Sequence, residues 1–253
     1  TQTGDEHMTN YPAIPFNRNA VEPIECLKQG WALIRDRYWL FVGMAAVGML
    51  IGSVVPLGIL LGPMMCGIYV ALLKTRRGQP VEFGDLFKGF DYFGQSLIAT
   101  IIHVVPILVI FVPSYIAFYI SIFFMIPQPG SEPDPAMMFG FLGAFVVFYV
   151  VMLVFIIVVS VLFTFTYPLI VDRGLTGVDA VKLSVKAALA NFWRLLGLFL
   201  LGSVLGFGGV LLCYVGVFLV LPISFGAIAT AYEQVFGLGE PISNLPPPPP
   251  TFN

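Results

Sequence analysis

Four long stretches without a charged residue constrain this chain more than any other feature of its sequence. Residues 38–73, 92–131, 135–171 and 195–232 contain no Asp, Glu, Lys or Arg. A helix needs only about 20 apolar residues to cross the ~30 Å hydrocarbon core of a bilayer. Each stretch is therefore long enough to hold at least one membrane-spanning helix.

The composition supports the same conclusion. Hydrophobic residues make up 58% of the 253 residues and charged residues only 10%, with a formal net charge of -2. An ordinary soluble domain carries about 25% charged residues, so this chain has too few to cover a water-facing surface. We therefore exclude a soluble globular domain and a disordered chain. The lack of a basic surplus excludes nucleic acid as a partner.

Gly- and Pro-rich breaks divide the charge-free stretches into helical hairpins. Segments 54–58 and 206–209 interrupt the first and last stretches, and segment 127–135 separates the two middle ones. The first stretch as one helix would be ~54 Å long at 1.5 Å per residue, far longer than the bilayer is thick. The pattern predicts an all-α, polytopic integral membrane protein with about six transmembrane helices. The middle helices carry prolines that we expect to kink them: Pro106, Pro113 and Pro168.

The basic residues test this count, because lysine and arginine gather on the cytoplasmic side of inner-membrane proteins. With six crossings all 12 basic residues lie on one face, and the opposite loops carry only Glu132 and Asp134. We therefore predict a multi-pass protein of the cytoplasmic membrane with both termini in the cytoplasm. A first or last hairpin that dips into the bilayer without crossing it keeps the same charge distribution, and this re-entrant alternative stays open.

The two ends of the chain resemble each other. A constant shift superposes Trp39 on Trp193 and Gly48 on Gly202. We predict a parallel internal repeat, each copy an amphipathic helix followed by a helical hairpin, with a pseudo-two-fold axis along the membrane normal. The predicted organisation is a polar N-terminal arm (1–19), a single membrane domain (20–240) with repeat 1 (20–80), a central helix pair (92–171) and repeat 2 (174–239), and a Pro-rich tail (241–253).

An amphipathic segment opens each repeat. Residues 21–38 and 178–192 place apolar side chains on one helical face and charged side chains on the other. Such helices lie at the membrane–water boundary, where tryptophan side chains anchor them. We expect Trp31, Trp39 and Trp193 to be these anchors.

A third segment, 83–93, combines four phenylalanines with Asp85, Lys88 and Asp91. One interpretation is a docking surface for a partner. The other, which we favour, is a further interfacial helix whose charged edge is solvated.

Glycines four residues apart recur in the outer stretches: Gly48 with Gly52, Gly58 with Gly62, and Gly202 with Gly206. This spacing allows two membrane helices to approach closely. The contact is either with a second chain, which would indicate self-association, or with another helix of the same chain, which we favour.

A further set of residues carries a resemblance to a known family: Pro63 with Gly67, Arg77-Gly78, the segment 83–90, the segment 191–193, Pro222, Ala231-Tyr232 and Gly237. The chain resembles a broad group of uncharacterised bacterial membrane proteins, known as domains of unknown function. It is similar to the membrane-embedded part fused to some glycerophosphodiester phosphodiesterases. The resemblance extends over about residues 20–240 and implies a six-helix membrane fold. It implies no catalytic motif and leaves the function open.

His103 is the only histidine within the charge-free stretches. Ionisable groups inside a membrane are candidates for function, and an imidazole there could bind the metal of a porphyrin or chlorophyll. The alternative, which we favour, is a hydrogen-bonded or boundary histidine, with Gln95, Ser96 and Thr100 on the same side of the helix.

Motifs for chemistry are missing from the sequence. It has no Gly-x-Ser-x-Gly, Walker loop or His-Glu-x-x-His, and its three cysteines are too widely spaced for a metal site or a disulfide set. We therefore expect that the protein is not an enzyme and that it binds no metal. Within the charge-free stretches His103 is the only acid or base, which argues against an ion-coupled pump.

These observations predict a non-catalytic integral membrane protein, an accessory or scaffold subunit whose partners are the lipid bilayer and other membrane subunits or further copies of itself. A carrier or channel for a neutral or lipid-like solute is the alternative, and a pigment- or haem-binding subunit is the second alternative. The five consecutive prolines 246–250 predict a polyproline II rod. This rod is either a ligand for a partner or a spacer.

Overall fold

The computed structural model describes residues 14–54, 58–125, 135–211 and 215–239, and within these ranges the chain is helical and contains no strand. The predicted all-α class is therefore confirmed. The Pro-rich tail and most of the N-terminal arm lie outside the described residues, as do the predicted turns at 55–57, 126–134 and 212–214.

Nine α-helices occur in the described ranges, together with two 3-10 segments, Arg35–Arg37 and Phe83–Tyr92. The helices are α1 (Pro23–Ile34), α2 (Tyr38–Val54), α3 (Leu61–Arg76), α4 (Phe93–Met125), α5 (Pro135–Leu162), α6 (Thr166–Arg173), α7 (Gly177–Ala190), α8 (Phe192–Leu211) and α9 (Val215–Phe236).

Five helical segments are long and apolar enough to cross a membrane, which makes the chain a multi-pass membrane protein. The α3 helix, with 16 residues, is too short to be counted among them and is mostly buried inside the protein. The five segments are Pro23–Val54, Phe83–Phe123, Phe139–Arg173, Phe192–Leu211 and Gly216–Phe236.

The central helix pair, expected as two long helices kinked at prolines, has its second helix divided into α5 and α6. The α4 helix runs for 33 residues through Pro106 and Pro113, but a turn at 163–165 separates α5 from α6. Pro168 lacks a backbone N–H and its ring clashes with the carbonyl four residues earlier, which favours a break at this turn. The Ser184 hydroxyl donates to the Leu162 carbonyl at 2.8 Å and accepts from the Phe165 N–H at 3.1 Å, so the break leaves these backbone groups satisfied.

The short segments pack on the second helices of the hairpins. The 3-10 segment Phe83–Tyr92 lies along α3, α7 lies against α6 and α4, and α1 lies along α9. The helices α6 and α9 also contact α3. The well-packed body of the protein therefore consists of α3, α6 and α9 and the three short segments around them.

Two of these contacts are made backbone to backbone, because glycines stand at the crossing points. A Cβ atom on Gly30 of α1 would lie 2.4 Å from the Ala227 nitrogen of α9. A Cβ atom on Gly89 would lie 1.9 Å from the Pro63 oxygen, and one on Gly67 1.8 Å from the Leu86 oxygen. No side chain fits at these positions. Close approach of this kind is what stabilises helix pairs in a membrane, where lipid removes the hydrophobic drive between helices.

We expect Gly89→Ala to destabilise the protein strongly, because the added methyl group overlaps the Pro63 carbonyl of α3. The cost should be about 1–3 kcal/mol or more, as for other overpacked positions. Gly84→Ala is the matched control in the same 3-10 segment, since a Cβ atom there has no neighbour within 4 Å. Melting temperatures of the two purified variants test this. Equal melting temperatures would show that Phe83–Tyr92 does not pack tightly on α3.

Candidate functional site

The helices α3, α6 and α9 come together where each of them ends. A glycine in the left-handed conformation follows each helix: Gly78 (φ 68°), Gly174 (φ 61°) and Gly237 (φ 68°). Carbonyl groups at helix ends carry partial negative charge, which favours basic side chains beside them. The Arg173 guanidinium accordingly donates to the carbonyls of Phe236 and Gly237 at 2.9 and 3.3 Å.

The carboxylate of Asp172 lies at the centre of these helix ends and is completely buried. Its Oδ1 accepts a hydrogen bond from the Arg77 guanidinium of α3. Its Oδ2 accepts from the Tyr232 hydroxyl at 2.7 Å and from the Gly239 N–H at 2.8 Å, and the Arg173 Nε lies 3.3 Å away. One carboxylate thus connects α3, α6, α9 and the segment after α9.

This arrangement suits a structural ion pair better than a catalytic base. A buried charge is tolerated when it is paired and its oxygens are hydrogen-bonded, and both oxygens of Asp172 are engaged by groups of the protein. A substrate that gives its proton to Asp172 would first have to displace one of these hydrogen-bond donors. We therefore assign Asp172 to holding the helices together.

The basic residues at the end of α3 form ion pairs with three different elements. Lys74 donates to Asp85 of the 3-10 segment at 2.7 Å, Arg76 pairs with Glu233 of α9, and Arg77 pairs with Asp172 of α6. Asp85 also contacts Lys88 at 2.7 Å and accepts from the Glu82 N–H at 3.0 Å. The favoured expectation of a solvated charged edge on segment 83–93 is therefore wrong for Asp85, which is buried and paired.

The sequence analysis missed Asp172 because it treated the residue only as the end of a charge-free stretch. Its signal was nevertheless present. Asp172-Arg173-Gly174 and Arg76-Arg77-Gly78 both place charges directly before a glycine at the end of an apolar helix.

The imidazole of His103 stacks on the ring of Phe163, with the ring centroids 4.5 Å apart and the planes 17° apart. The polar neighbours expected beside it bind elsewhere. The Gln95 side chain accepts from the Gly177 N–H at 2.7 Å, and the Thr100 and Tyr167 hydroxyls are 3.0 Å apart. Within the described ranges no group of three His, Cys, Asp or Glu side chains could hold a metal ion.

The glycines of the first hairpin pack inside the chain. A Cβ atom on Gly48 would meet Ile68, Leu86 and Met64 at 3.5–3.7 Å, and one on Gly52 would meet Leu61 at 3.1 Å. A Cβ atom on Gly62 would overlap α4, lying 2.7 Å from the Ser96 oxygen, whereas Gly58 is a turn residue with φ 66°. For these glycines the structure agrees with packing within one chain.

Gly202 and Gly206 of α8 have open space beside them instead. Among the described residues, a Cβ atom on Gly202 would meet only the Ser224 hydroxyl at 4.0 Å, and one on Gly206 would meet nothing within 4 Å. Both residues line a groove of about 270 Å³ between α8, α9 and α1. We call it the α8–α9 groove. Its lining includes Leu27 of α1 and Val220, Ser224 and Ile228 of α9.

The three tryptophans project from the surface. The exposed fraction is 44% for Trp31, 75% for Trp39 and 80% for Trp193. Trp39 and Trp193 stand in the first turns of α2 and α8, next to the basic segments. These positions fit interfacial anchors, which need contact with lipid and not with protein.

No family model, no curated protein and no solved structure matches the chain. The resemblance to the bacterial membrane domains therefore stays a prediction. What the protein does has to be inferred from its own side chains and surfaces.

We expect Asp172→Asn to destabilise the protein by about 3–5 kcal/mol, as when one partner of a buried ion pair is removed. The amide cannot neutralise Arg77, and its NH₂ group faces other donors. Asp36→Asn is the control, because the Asp36 side chain is solvent-exposed and lies 3.5 Å from Arg35, so no measurable change is expected. Unfolding of both variants in detergent measures the difference. Equal stability would contradict the central role of Asp172.

Proposed function

We propose that this chain is a non-catalytic membrane protein, an accessory or scaffold subunit that binds transmembrane helices of a partner through its α4–α5 hairpin. One observation carries the proposal. Beyond Thr100 no described side chain of α4 is buried, and before Val159 the only buried side chain described in α5 is Met152. Over most of its surface the outer part of this hairpin therefore has no close neighbour among the described residues of its own chain.

The outer part of the hairpin is long enough to cross a bilayer alone. From Ile101 to Phe123 the helix rises ~33 Å, close to the ~30 Å hydrocarbon core. Its two helices hold each other through aromatic rings. Phe118 of α4 stacks on Phe148 of α5, with centroids 4.8 Å apart, and also contacts Phe141 and Phe145.

An exposed patch of small residues on α5 can accommodate a partner helix. Gly140 and Ala144 are both exposed and stand four residues apart, and among the described residues a Cβ atom on Gly140 would have no neighbour within 4 Å. Small residues at this spacing let a second helix approach closely enough for dispersion contacts and backbone hydrogen bonds. We propose that a partner binds to this patch of small residues and not to the glycines of the first hairpin.

The buried ion pairs support a role without catalysis. The buried carboxylates of Asp85 and Asp172 are both paired with basic side chains in contacts that join helices. A general acid or base needs a proton acceptor or donor directed at a substrate. We propose that the charges of this protein serve its assembly.

For the topology we propose a bacterial cytoplasmic membrane with both termini in the cytoplasm, and a re-entrant first hairpin. The segment Pro23–Val54 reaches spanning length only together with α1, which we place at the membrane–water boundary. The helices α2 and α3 themselves contain 17 and 16 residues, which give only ~26 and ~24 Å. These lengths fall short of the ~30 Å core. The α8 and α9 helices, with 20 and 22 residues, are long enough to cross.

We also propose that the internal repeat has three copies rather than two. The third copy is the 3-10 segment Phe83–Tyr92 with the α4–α5 hairpin. The support is the recurring contact of a short segment with the second helix of a neighbouring hairpin: Phe83–Tyr92 lies on α3, α7 on α6, and α1 on α9 of the last hairpin.

A carrier or channel for a neutral or lipid-like solute is the second candidate function. The α8–α9 groove favours it, because its lining is almost entirely apolar. Liposomes that contain the protein should then show flux of such a solute.

The proposed topology predicts three labelling patterns in single-cysteine variants of a background that lacks the native cysteines. A membrane-impermeant maleimide should label Ser131→Cys in intact cells and Gln79→Cys only after the cytoplasmic face is opened. Ile59→Cys, next to the first hairpin turn, should react from neither side. Labelling of Ile59→Cys from outside would establish a full crossing, and labelling of Gln79→Cys in intact cells would overturn the orientation.

The proposed partner contact predicts that the protein extracted gently from its own membrane is part of a defined complex. The double variant Gly140→Leu/Ala144→Leu should lose the partner, because two large side chains prevent the close approach of a helix. Native mass and identification of the bound proteins measure this loss.

Gly208→Leu is the control, since it makes the same type of change at an exposed position of α8 that has no neighbour within 4 Å. It should retain the complex. A wild-type particle that contains only one chain and lipid would refute the scaffold function. A double variant that retains the partner would refute the contact on α5.

A further inference from the structure

We propose that the α8–α9 groove binds one acyl chain of a bilayer phospholipid. The groove is half-enclosed by α8, α9 and Leu27 of α1. It exists because Gly202 and Gly206 leave space that any larger side chain of α8 would fill. The site goes beyond the proposed partner contact and lies on different helices.

The volume of the groove is sufficient for one hydrocarbon chain. The lining residues of α8 run from Leu198 to Gly206, a length of ~12 Å. Carbon atoms of an extended chain pack about 4 Å from their neighbours, so such a chain takes up a cross-section of ~16 Å² and ~190 Å³ over this length. The groove volume is about 270 Å³. A helix with a diameter of ~10 Å would need ~900 Å³ over the same length, so a helix of a second copy could cover the groove but not enter it.

The chemistry of the lining favours an apolar occupant. The lining contains no charged side chain. Its two hydroxyls donate within their own helices, Ser203 to the Phe199 carbonyl at 2.8 Å and Ser224 to the Val220 carbonyl at 3.5 Å. A polar solute would lose its hydration in this groove without regaining hydrogen bonds.

The surroundings indicate that the occupant enters from the bilayer. Large apolar side chains of α8 beside the groove are strongly exposed, with exposed fractions of 71% for Val204 and 67% for Phe207. In a helix of membrane-spanning length and apolarity such side chains face lipid. The material available to fill the groove is therefore lipid.

A basic side chain marks the headgroup end. Arg194 is exposed and precedes Leu198 of the lining by one helical turn, so both lie on the same side of α8. One of its nitrogens donates to the Val21 carbonyl at 3.2 Å. Next to it, Trp193 occupies the position of an interfacial anchor. A phosphate at this level would meet a positive charge, which points to a phospholipid as the source of the chain.

The test is photo-crosslinking of the full chain in vesicles of phosphatidylethanolamine and phosphatidylglycerol that contain a phosphatidylethanolamine with a diazirine on its acyl chain. Labelled peptides are identified by mass spectrometry. Label should concentrate on the groove-lining parts of α8 and α9, above the level on the equally lipid-exposed α4–α5 hairpin. Equal labelling of all lipid-facing helices would overturn the proposal.

Filling the groove provides the matched comparison. Gly206→Leu and Gly202→Leu should each reduce labelling of the groove by about tenfold, a loss of about 1.4 kcal/mol in binding. Gly208→Leu, outside the lining, should leave it unchanged. Melting temperatures identify a variant that fails to fold, and either groove variant alone suffices. Unchanged labelling in a folded groove variant would refute the site.

Two further experiments distinguish a phospholipid in the groove from a free fatty acid and from a second copy of the chain. Arg194→Gln should lower labelling by the phospholipid probe but not by the methyl ester of a diazirine fatty acid, which carries no negative charge for an arginine to attract. A fatty acid that labels the wild-type groove more strongly than the phospholipid would show that the source is a free fatty acid and overturn the assignment to phospholipid. Cross-links between two chains at Ser203→Cys would show that a second copy covers the groove.

Discussion

The ion pair between Asp172 and Arg77 sets the arrangement of the rest of the protein. Helices in lipid gain nothing from a hydrophobic effect between them, so polar contacts and close backbone approach have to hold them. The Asp172 carboxylate joins α6 to α3 through Arg77 and to α9 through Tyr232. These helices then provide the surfaces on which α1, α7 and Phe83–Tyr92 lie. Loss of the charge would therefore loosen parts of the chain that have no contact with Asp172 itself.

The sequence predicted the helical class and the presence of several long apolar helices, because charge-free length is a local signal. It did not predict which glycine meets which backbone. The apolar spacing of the first segment predicted a face towards the membrane, where Ile24 and Trp31 are exposed, but it did not predict that α1 packs on α9 at Gly30. Likewise the spacing of Gly202 and Gly206 matches that of Gly48 and Gly52, although only the latter pair packs closely. Spacing identifies a helical face, whereas its partner depends on the tertiary structure.

The hairpins differ in length, and this difference explains why one of them lacks neighbours. The α4 helix has 33 residues and α2 has 17, a difference of ~24 Å. If both start at the level of the basic segments, α4 extends far beyond the turn between α2 and α3. No single bilayer thickness matches both lengths, so the mismatch has to be relieved by tilting, by local thinning or by association with other helices. Association fits α4–α5 best, because Gly140 and Ala144 provide a surface for it.

The two proposed binding surfaces, one for a partner helix and one for a lipid chain, have opposite shapes. On α5, small residues form an open patch that a helix can approach along its length, and no described residue lies within 4 Å of a Cβ atom on Gly140. On α8, small residues lie at the bottom of a groove enclosed by α9 and α1, and a helix is too wide to enter. The same residue type therefore selects a protein partner in one place and a hydrocarbon chain in the other. A lipid held between α8 and α9 would fill the gap at the point where α1 crosses α9, which would make the bilayer itself part of the packed structure.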